Sequence, residues 1–421
     1  KYHRPRGIVA AGPEEPNALM NLGRDDQFEP NQRATTTELF DGLDAASQNH
    51  WPSLEFDVGA INKYLSRFLP AGFYYKMFIH PRPFWKHVYE PIIRHSAGLG
   101  KAPKEKDADS YEHFHAFCDV LVIGGGVAGL EAARTAALAG AKVILLEQTA
   151  HWGGRAPVDG GTVEGASVAS HIDALVSALS GMENVHMRTR VMGAGVYDHG
   201  YVLGYESLKD HAPAAQGPRH RLWRIRAGHI ITATGAIERP LYFAGNDIPG
   251  VMLAAAARDY LVNFGVSVGD RTVVVTNNDD AYRTAIALVE AGLTVPAILD
   301  ARVLPEDSAL MARAKALGIR VMMGHAVSSV KGGKRVTAVT VCSQAGEGAV
   351  FETIECDAVA MSGGWSPVVH LWSHCGGKLV WDTNLATFRP DVNHPPIGAD
   401  GLGFVTAAGA AAGFFGLDDI L

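Results

Sequence analysis

Three glycines, Gly124, Gly126 and Gly129, follow the apolar run Asp119-Val120-Leu121-Val122-Ile123 and open an alanine-rich stretch beginning Val127-Ala128. This spacing suits one kind of chemistry. Gly124 permits a tight turn, Gly126 lets bare backbone approach a pyrophosphate, and Gly129 lets the ensuing helix pack on the strand, so the helix N-terminus faces the phosphates. A second apolar run, Lys142-Val143-Ile144-Leu145-Leu146, ends in Glu147, 23 residues after Gly124. An acid at that distance holds the hydroxyls of an adenosine ribose and disfavours a 2′-phosphate, which predicts an NAD- or FAD-like ligand rather than NADP.

A strand, a turn and a helix must position these residues, and the chain goes on to reuse that plan. A helix is expected from about Ser167 to Ser180, a short strand over Val185 to Gly193, and meander strands at Tyr201 to Tyr205 and Arg221 to Ile225. The buried run Ile230-Ile231-Thr232-Ala233 ends in Thr234 and Gly235, bare backbone against a nucleotide, before Pro240 redirects the chain. From Pro249 to Cys356 the strand-helix-strand plan repeats, with strands at Thr272 to Thr276 and Val295 to Asp300 around a helix from Ala281 to Ala291. Its turn, Thr276-Asn277-Asn278-Asp279-Asp280, has no glycine. Two carboxylates there would repel a pyrophosphate, so this half is expected to keep the fold without ordinary dinucleotide binding, with Asp279 and Asp280 as helix-capping residues.

These elements predict an α/β chain with two Rossmann-like FAD/NAD(P)-binding domains, glutathione-reductase-like. Residues 115–248 with 357–421 form the first domain, 249–356 the inserted, degenerate second, and 1–110 an extended N-terminal arm and linker rather than a compact domain. In this architecture the Gly153-Gly154 turn passes close to the dinucleotide, with Arg155 on phosphate or ribose, and the strand through Met192 runs beside the adenine. Flavin-binding members have an acid after the last glycine to hold the ribityl chain. Here Gly409 is followed by Ala410, which cannot accept those hydrogen bonds, so the first site is expected to hold NAD, or another adenine nucleotide, where relatives hold FAD. The expected nucleotide contacts are Gly124, Gly126, Val127, Ala128, Gly129, Glu147, Gln148, Gly154, Arg155, Met192, Thr234, Gly235 and Gly409.

With 421 residues, 47% of them hydrophobic, the chain can build two or three cores. A net charge of −7, mixed along the sequence, suggests neither a nucleic-acid nor an anionic-membrane partner. Cys118, Cys342, Cys356 and Cys375 form no CxxC pair, which argues against a zinc or iron–sulfur site and for a reducing, cytoplasmic setting. The aromatic and proline-rich arm, with Trp51-Pro52 and Pro81-Arg82-Pro83-Phe84-Trp85, has the composition of a docking surface. His113, His115, His151, His370 and His374 are acid–base candidates by chemistry alone, and such histidines are more often structural.

Five stretches together carry a resemblance: Lys1-Tyr2-His3-Arg4-Pro5-Arg6-Gly7-Ile8, Glu14-Glu15-Pro16-Asn17-Ala18-Leu19, Gly124 to Gly129, Ala233 to Pro240, and Ser362-Gly363-Gly364-Trp365-Ser366-Pro367. The chain resembles, nearly end to end, the α subunit of heterotetrameric sarcosine oxidases. That resemblance implies a β subunit bearing FAD and the amine-oxidising site, FMN at the interface with it, two small subunits, one carrying zinc, and NAD in α. It implies oxidation of an N-methyl or secondary amine to an imine, with no catalytic acid or base expected in this chain. The family's folate-binding domain and its N-terminal ferredoxin-like segment are both expected to be missing here. Two other functions stay open: a stand-alone FAD/NAD-dependent oxidoreductase, which should carry a redox CxxC or a glycine-rich second turn, and a non-catalytic scaffold with a structural nucleotide. The amine itself is not legible; sarcosine, dimethylglycine, another N-methyl amino acid or an opine would all be compatible.

Overall fold

The computed structural model describes the chain except residues 1–7, 13–14, 16–18, 66–67, 69–71, 345–348 and 421. The opening motif Lys1 to Gly7, and Glu14 and Pro16 to Ala18 of the next one, therefore lie outside the described residues. The chain divides into two compact units, Asp109–Arg239 with Gly363–Leu421 and Lys1–Ala108 with Pro240–Ser362.

The unit that carries the glycine turn is built on a mixed sheet. Its strands run in the order Val185–Arg188, Val143–Leu146, Tyr111–Ile123, His220–Thr232, Tyr201–Ser207, Val191–Tyr197, with Val405–Ala407 also pairing with His220–Thr232. The first four are mutually parallel, and the meander beyond them is antiparallel. Val143, Leu145, Leu121 and Val122 are fully buried, as expected of parallel strands covered on both faces. The helix Val127–Leu138 buries Val127, Leu130, Ala133 and Ala137 on one stripe, and Val168–Ser180, capped by the Ser167 hydroxyl, buries Ile172, Leu175 and Leu179.

Two elements differ from their sequence reading. The stretch from Val185 to Gly193 is two strands, because Arg190 turns the backbone at φ +57°. The meander strand at Arg221 and the buried strand at Ile230 are one 13-residue strand, His220–Thr232. One edge pairs with Tyr111–Ile123 throughout; the other pairs first with Tyr201–Ser207 and then with Val405–Ala407. A chain that changes partner along one edge reads as two segments by composition, since the first half is punctuated by Arg221, Arg224 and Arg226 and the second ends in the apolar pair Ile230-Ile231.

Polar side chains organise the solvent end of this sheet. Trp223 is fully buried and donates from Nε1 to Glu206 at 2.7 Å, and Arg221 bonds the same carboxylate at 3.3 Å. Nearby, Tyr205 meets His220 Nδ1 at 2.6 Å, and His220 Nε2 meets Asp210 at 2.9 Å. Burial alone would raise the Asp210 pKa, but hydrogen bonds from His220, Ser207 and Arg219 hold it well below the usual carboxylate range. A folded-state pKa below the unfolded one stabilises the protein above the unfolded value of about 4 and ceases to do so as pH falls. Thermal midpoints measured from pH 5 to pH 3 should therefore drop, and Asp210→Asn should flatten that acid limb; an unchanged acid limb in the variant would exclude this carboxylate as its source.

The other unit contains a five-stranded parallel sheet in the order Val251–Leu253, Ala358–Ser362, Thr272–Thr276, Ile298–Asp300, Val321–Met323. Helices Ala254–Phe264, Asp280–Glu290 and Ala309–Ala316 connect it, and an antiparallel sheet of His325–Gly332, Val336–Ser343 and Val350–Glu355 accompanies it. The N-terminal arm is more structured than its composition implies. Val9 and Ala10 are buried in this unit's core, Val9 accepts a hydrogen bond from Leu253 N at 2.8 Å, and buried Glu15 accepts from both Val9 N and Ala10 N. Strand Leu19–Leu22 lies between Glu29–Arg33 and Ala45–Ser47 in a small antiparallel sheet. The buried Gln48 amide ties that sheet to Asn31 and to the carbonyl of Gly98.

Candidate functional site

The glycines of the first turn divide by what they accommodate. Gly124 has φ +110°, and a Cβ there would lie 2.2 Å from the Ala233 carbonyl oxygen. At Gly129 a Cβ would lie 1.8 Å from the Gly124 carbonyl oxygen, so the helix can start here only if residue 129 has no side chain. These two are required by the protein's own packing. Gly126, the helix N-cap, has extended backbone, and its nearest neighbour would be Gly154 Cα at 4.0 Å. Among the described residues nothing fills the space beside Gly126, and the Gly126 to Gly153 backbone bridge brings the Gly153-Gly154 turn alongside. The helix N-terminus thus presents open backbone where an anion fits.

Glu147 ends the Val143–Leu146 strand, is buried, and accepts from Gly125 N at 2.7 Å through Oε2 and from Thr149 N and Oγ1 at 2.7 and 2.9 Å through Oε1. A carboxylate has about four acceptor positions, so three internal donors orient it and leave room for a ligand hydroxyl. Sequence reasoning missed Gly125, Thr149 and Trp152. A Cβ at Gly125 would strike the Trp152 ring at 2.5 Å, so this glycine lets an indole cover the turn. The signals were an extra glycine inside the fingerprint and a threonine two residues after the acid.

The remaining expected contacts scatter in role. Val127 is buried, Gln148 is exposed, and Ala128 faces Gly409, whose φ is +60° and whose Cβ would approach Ala128 Cβ at 2.6 Å. Thr234 donates to the Val368 carbonyl at 2.8 Å, and Gly235, at φ +74°, has open space beside it. Met192 stands on the meander with its side chain well exposed. Arg155 engages Asp159 at 3.0 Å and lies 5.2 Å from the centre of the Trp365 ring. Trp365 opens the short strand Trp365–Pro367, which pairs with Ala236–Glu238, so the Arg155 contact links the segments that follow the two glycine turns. Beside this strand pair Gly364, at φ +90°, makes room for the Arg239 guanidinium, which donates to the carbonyls of Ala386 and Leu385.

No acid–base centre emerges around the candidate histidines. His113 and His115 lie on the Tyr111–Ile123 strand, His151 is exposed, and His370 and His374 bound a short helix, with the His374 ring 4.9 Å from that of Tyr197. Among the described residues, no group of three His, Cys, Asp or Glu side chains is placed to hold a metal ion. The four cysteines are free, and burial pushes Cys118 and Cys356 up to about 12 and Cys375 up to about 11, so these three are thiols at neutral pH rather than redox thiolates.

The second turn is occupied by ion pairs. Asp279 bonds Arg302 at 2.7 Å, Asp280 bonds the buried Arg258 at 3.1 Å, and neither carboxylate makes the expected cap; Asn278 Oδ1 accepts from Asp280 N instead. Strong cations nearby compete better for an aspartate than backbone amides do. Asp300, at the end of the next strand, is fully buried between Tyr282 Oη at 2.8 Å and Arg302 at 2.7 Å. Burial and the bond to Asp300 both push the Tyr282 pKa upward; burial, the largest single influence on Arg302, lowers its pKa, but the hydrogen bonds and charges of Asp300 and Asp279 together outweigh it and the net shift is upward.

Residues 118–392 match the family model for pyridine nucleotide-disulphide oxidoreductases, and residues 1–50 match that of a 2Fe-2S iron-sulfur cluster binding domain. The second match corrects the expectation that a ferredoxin-like segment is missing. Residues 1–50 contain no cysteine, however, and offer no thiolate to a cluster. The sarcosine oxidase subunit alpha of Rhizobium meliloti is 47% identical over 92% of this chain and 38% of its own length. The protein of the same name from a Corynebacterium species, strain P-1, is 35% identical over 92% of this chain and 36% of its own. The chain thus spans little more than a third of the length of these relatives. Thioredoxin reductase from T. acidophilum superposes with a TM-score of 0.53 at 20% identity, over 71% of this chain and 92% of that one, which shows a shared fold. By the extent of the family match the chain belongs to the pyridine nucleotide-disulphide oxidoreductases, and it is a homologue of the sarcosine oxidase α subunits.

Proposed function

We propose that this chain is the nucleotide-binding part of an α subunit in a multi-subunit, flavin-dependent oxidase or dehydrogenase of the sarcosine-oxidase type, cytoplasmic, acting on an N-methyl amino acid or a related secondary amine. The single observation that carries the nucleotide assignment is Gly126, a helix N-cap whose missing side chain leaves space that no atom of the described residues uses. NAD, or a related adenine dinucleotide, is the ligand favoured by Glu147 and by Ala410 in the ribityl position. Gly124 and Gly129 shape the turn, the amides at the start of the Val127–Leu138 helix receive the pyrophosphate, and Glu147 orients the ribose. FAD belongs in this scheme to a β subunit, FMN to the interface with it, and small subunits complete the assembly. A flavin, when bound, supplies the two-electron acceptor for the amine C–N bond. This chain's own residues bind, orient and shield; none of them is assigned a proton transfer.

Expressed alone, the chain should retain at most a nucleotide and show no amine-dependent dye reduction, with activity appearing only on co-expression of the flavin-bearing subunit. If the isolated chain binds FAD tightly and oxidises an amine unaided, both the NAD assignment and the division of labour fail. Glu147→Ala should weaken nucleotide retention by about 1–3 kcal/mol, the scale of a lost charged hydrogen bond, read as nucleotide released per chain on denaturation. Unchanged content in that variant would remove Glu147 from the site.

A further inference from the structure

The carboxylate of Glu147 is buried, and a buried carboxylate is costly unless its acceptor positions are filled. Three donors reach it among the described residues, Gly125 N, Thr149 N and Thr149 Oγ1, and none of them is a cation. They are spread unevenly over its two oxygens. Oε1 takes both Thr149 groups, at 2.7 and 2.9 Å, whereas Oε2 takes only Gly125 N, at 2.7 Å. With two lone pairs on each oxygen, Oε1 is saturated and Oε2 keeps one acceptor position.

The frame around the carboxylate fixes that asymmetry. Glu147 N donates to the Arg188 carbonyl and Val191 N to the Glu147 carbonyl, each at 2.8 Å, and Arg190 N donates to the Thr149 carbonyl at 2.9 Å. The backbone at both residues is thereby tied to the chain alongside. A Cβ at Gly125 would lie 2.5 Å from the Trp152 ring and 2.9 Å from Glu147 Cβ, so indole and carboxylate stem close on the same glycine. The Thr149 hydroxyl also lies 2.9 Å from the His151 carbonyl. It has a single proton to give, and an ionised carboxylate is the stronger acceptor.

We infer that Thr149 is a positioning residue: its amide and hydroxyl occupy Oε1, so that Glu147 receives one ribose hydroxyl, through Oε2, and not two. That hydroxyl is the 2′, the one an acid in this place takes, and the 3′-hydroxyl is left without a bond to the carboxylate. The inference rests on the nucleotide reading proposed above and specifies how the site selects within it: adenine nucleotides with a free 2′-hydroxyl are preferred, and Glu147 is indifferent to the 3′-hydroxyl.

Thr149 is exposed, so exchanging its hydroxyl for the methyl of valine removes the bond without opening a cavity in the core. The test is calorimetric titration of the full purified chain, freed of nucleotide, with NAD and with the two NAD analogues that lack the 2′- or the 3′-hydroxyl of the adenosine ribose. The wild type should bind the 2′-deoxy analogue roughly ten- to a hundredfold more weakly than NAD, the scale of a hydrogen bond to a charged group, and the 3′-deoxy analogue within about twofold of NAD. Thr149→Val should weaken NAD but leave the 2′-deoxy analogue where it was, so the preference for the 2′-hydroxyl shrinks; Thr149→Ser should keep it. A variant that weakens NAD and both analogues alike has lost structure rather than positioning, and overturns the inference. So does a wild type that loses as much on the 3′-deoxy analogue as on the 2′-deoxy one, or an undiminished 2′ preference in Thr149→Val; in both cases the nucleotide site stands. If the wild type binds neither NAD nor either analogue, the nucleotide reading falls and this inference falls with it.

Discussion

Gly126→Val should empty the nucleotide site, by on the order of a hundredfold in affinity or about 3 kcal/mol, while leaving the thermal midpoint near wild type. The extended backbone at residue 126 admits any side chain, and the nearest atom to a new Cβ is Gly154 Cα at 4.0 Å. A valine would therefore be accepted by the protein and would fill the space proposed for phosphate. Gly129→Ala should do the reverse. Its Cβ would lie 1.8 Å from the Gly124 carbonyl oxygen, so the helix must move off the strand, at or above the upper end of the roughly 1–3 kcal/mol typical of overpacking. Nucleotide released per folded chain and thermal midpoint, measured on both variants, separate the two roles. Full nucleotide retention in Gly126→Val would sink the cradle assignment, whatever happened to stability.

Arg302→Leu should be among the most damaging single changes in the second unit, although its guanidinium is partly exposed. Asp300 is fully buried and relies on that guanidinium, with Tyr282 Oη and the Arg302 amide as its remaining partners. Removing one side of a buried pair costs about 3–5 kcal/mol because the other charge is left uncompensated; the retained hydroxyl and amide place the expected loss near the lower end. Combining Arg302→Leu with Asp300→Asn should restore much of the denaturation midpoint. The same variants should leave nucleotide content at one per chain, since this unit is proposed to bind none. Loss of bound nucleotide in proportion to Arg302 substitution, with the fold intact, would relocate the ligand to the second unit.

The parallel strands and their helices were legible because burial on both faces writes continuous apolar runs, and because glycines forced by φ or contact cannot be disguised. Gly124 and Gly129 could be placed in the turn, and Glu147 at the end of the next strand, from spacing alone. What could not be read were long-range substitutions of one polar partner for another. Asp279 and Asp280 stand where capping residues stand, but the arginines that claim them, Arg302 and Arg258, are 23 and 22 residues away in sequence. Arg155 reads from sequence as a phosphate or ribose contact, and its neighbours Asp159 and Trp365 could not be foreseen from that reading. The arm illustrates the opposite error: its lack of periodicity hid a small sheet, because three-residue and four-residue strands are too short to write an alternation.

The strand His220–Thr232 changes partner along one edge, and this sets an order on synthesis. Its first half can pair as soon as the neighbouring meander has left the ribosome. Its second half waits for Val405–Ala407, marked by the hydrogen bond between His229 and Thr406, 177 residues apart. The whole of Pro240–Ser362 is made in that interval, long enough at about 5–20 residues per second for its parallel sheet to begin forming first. Until the late strand arrives, the edge of the sheet beside Thr234 and Gly235 is an open row of backbone donors and acceptors, the feature by which nascent chains aggregate or recruit chaperones. If the proposed nucleotide site is right, capture belongs to the end of folding, after the last strand has closed the floor on which that turn rests.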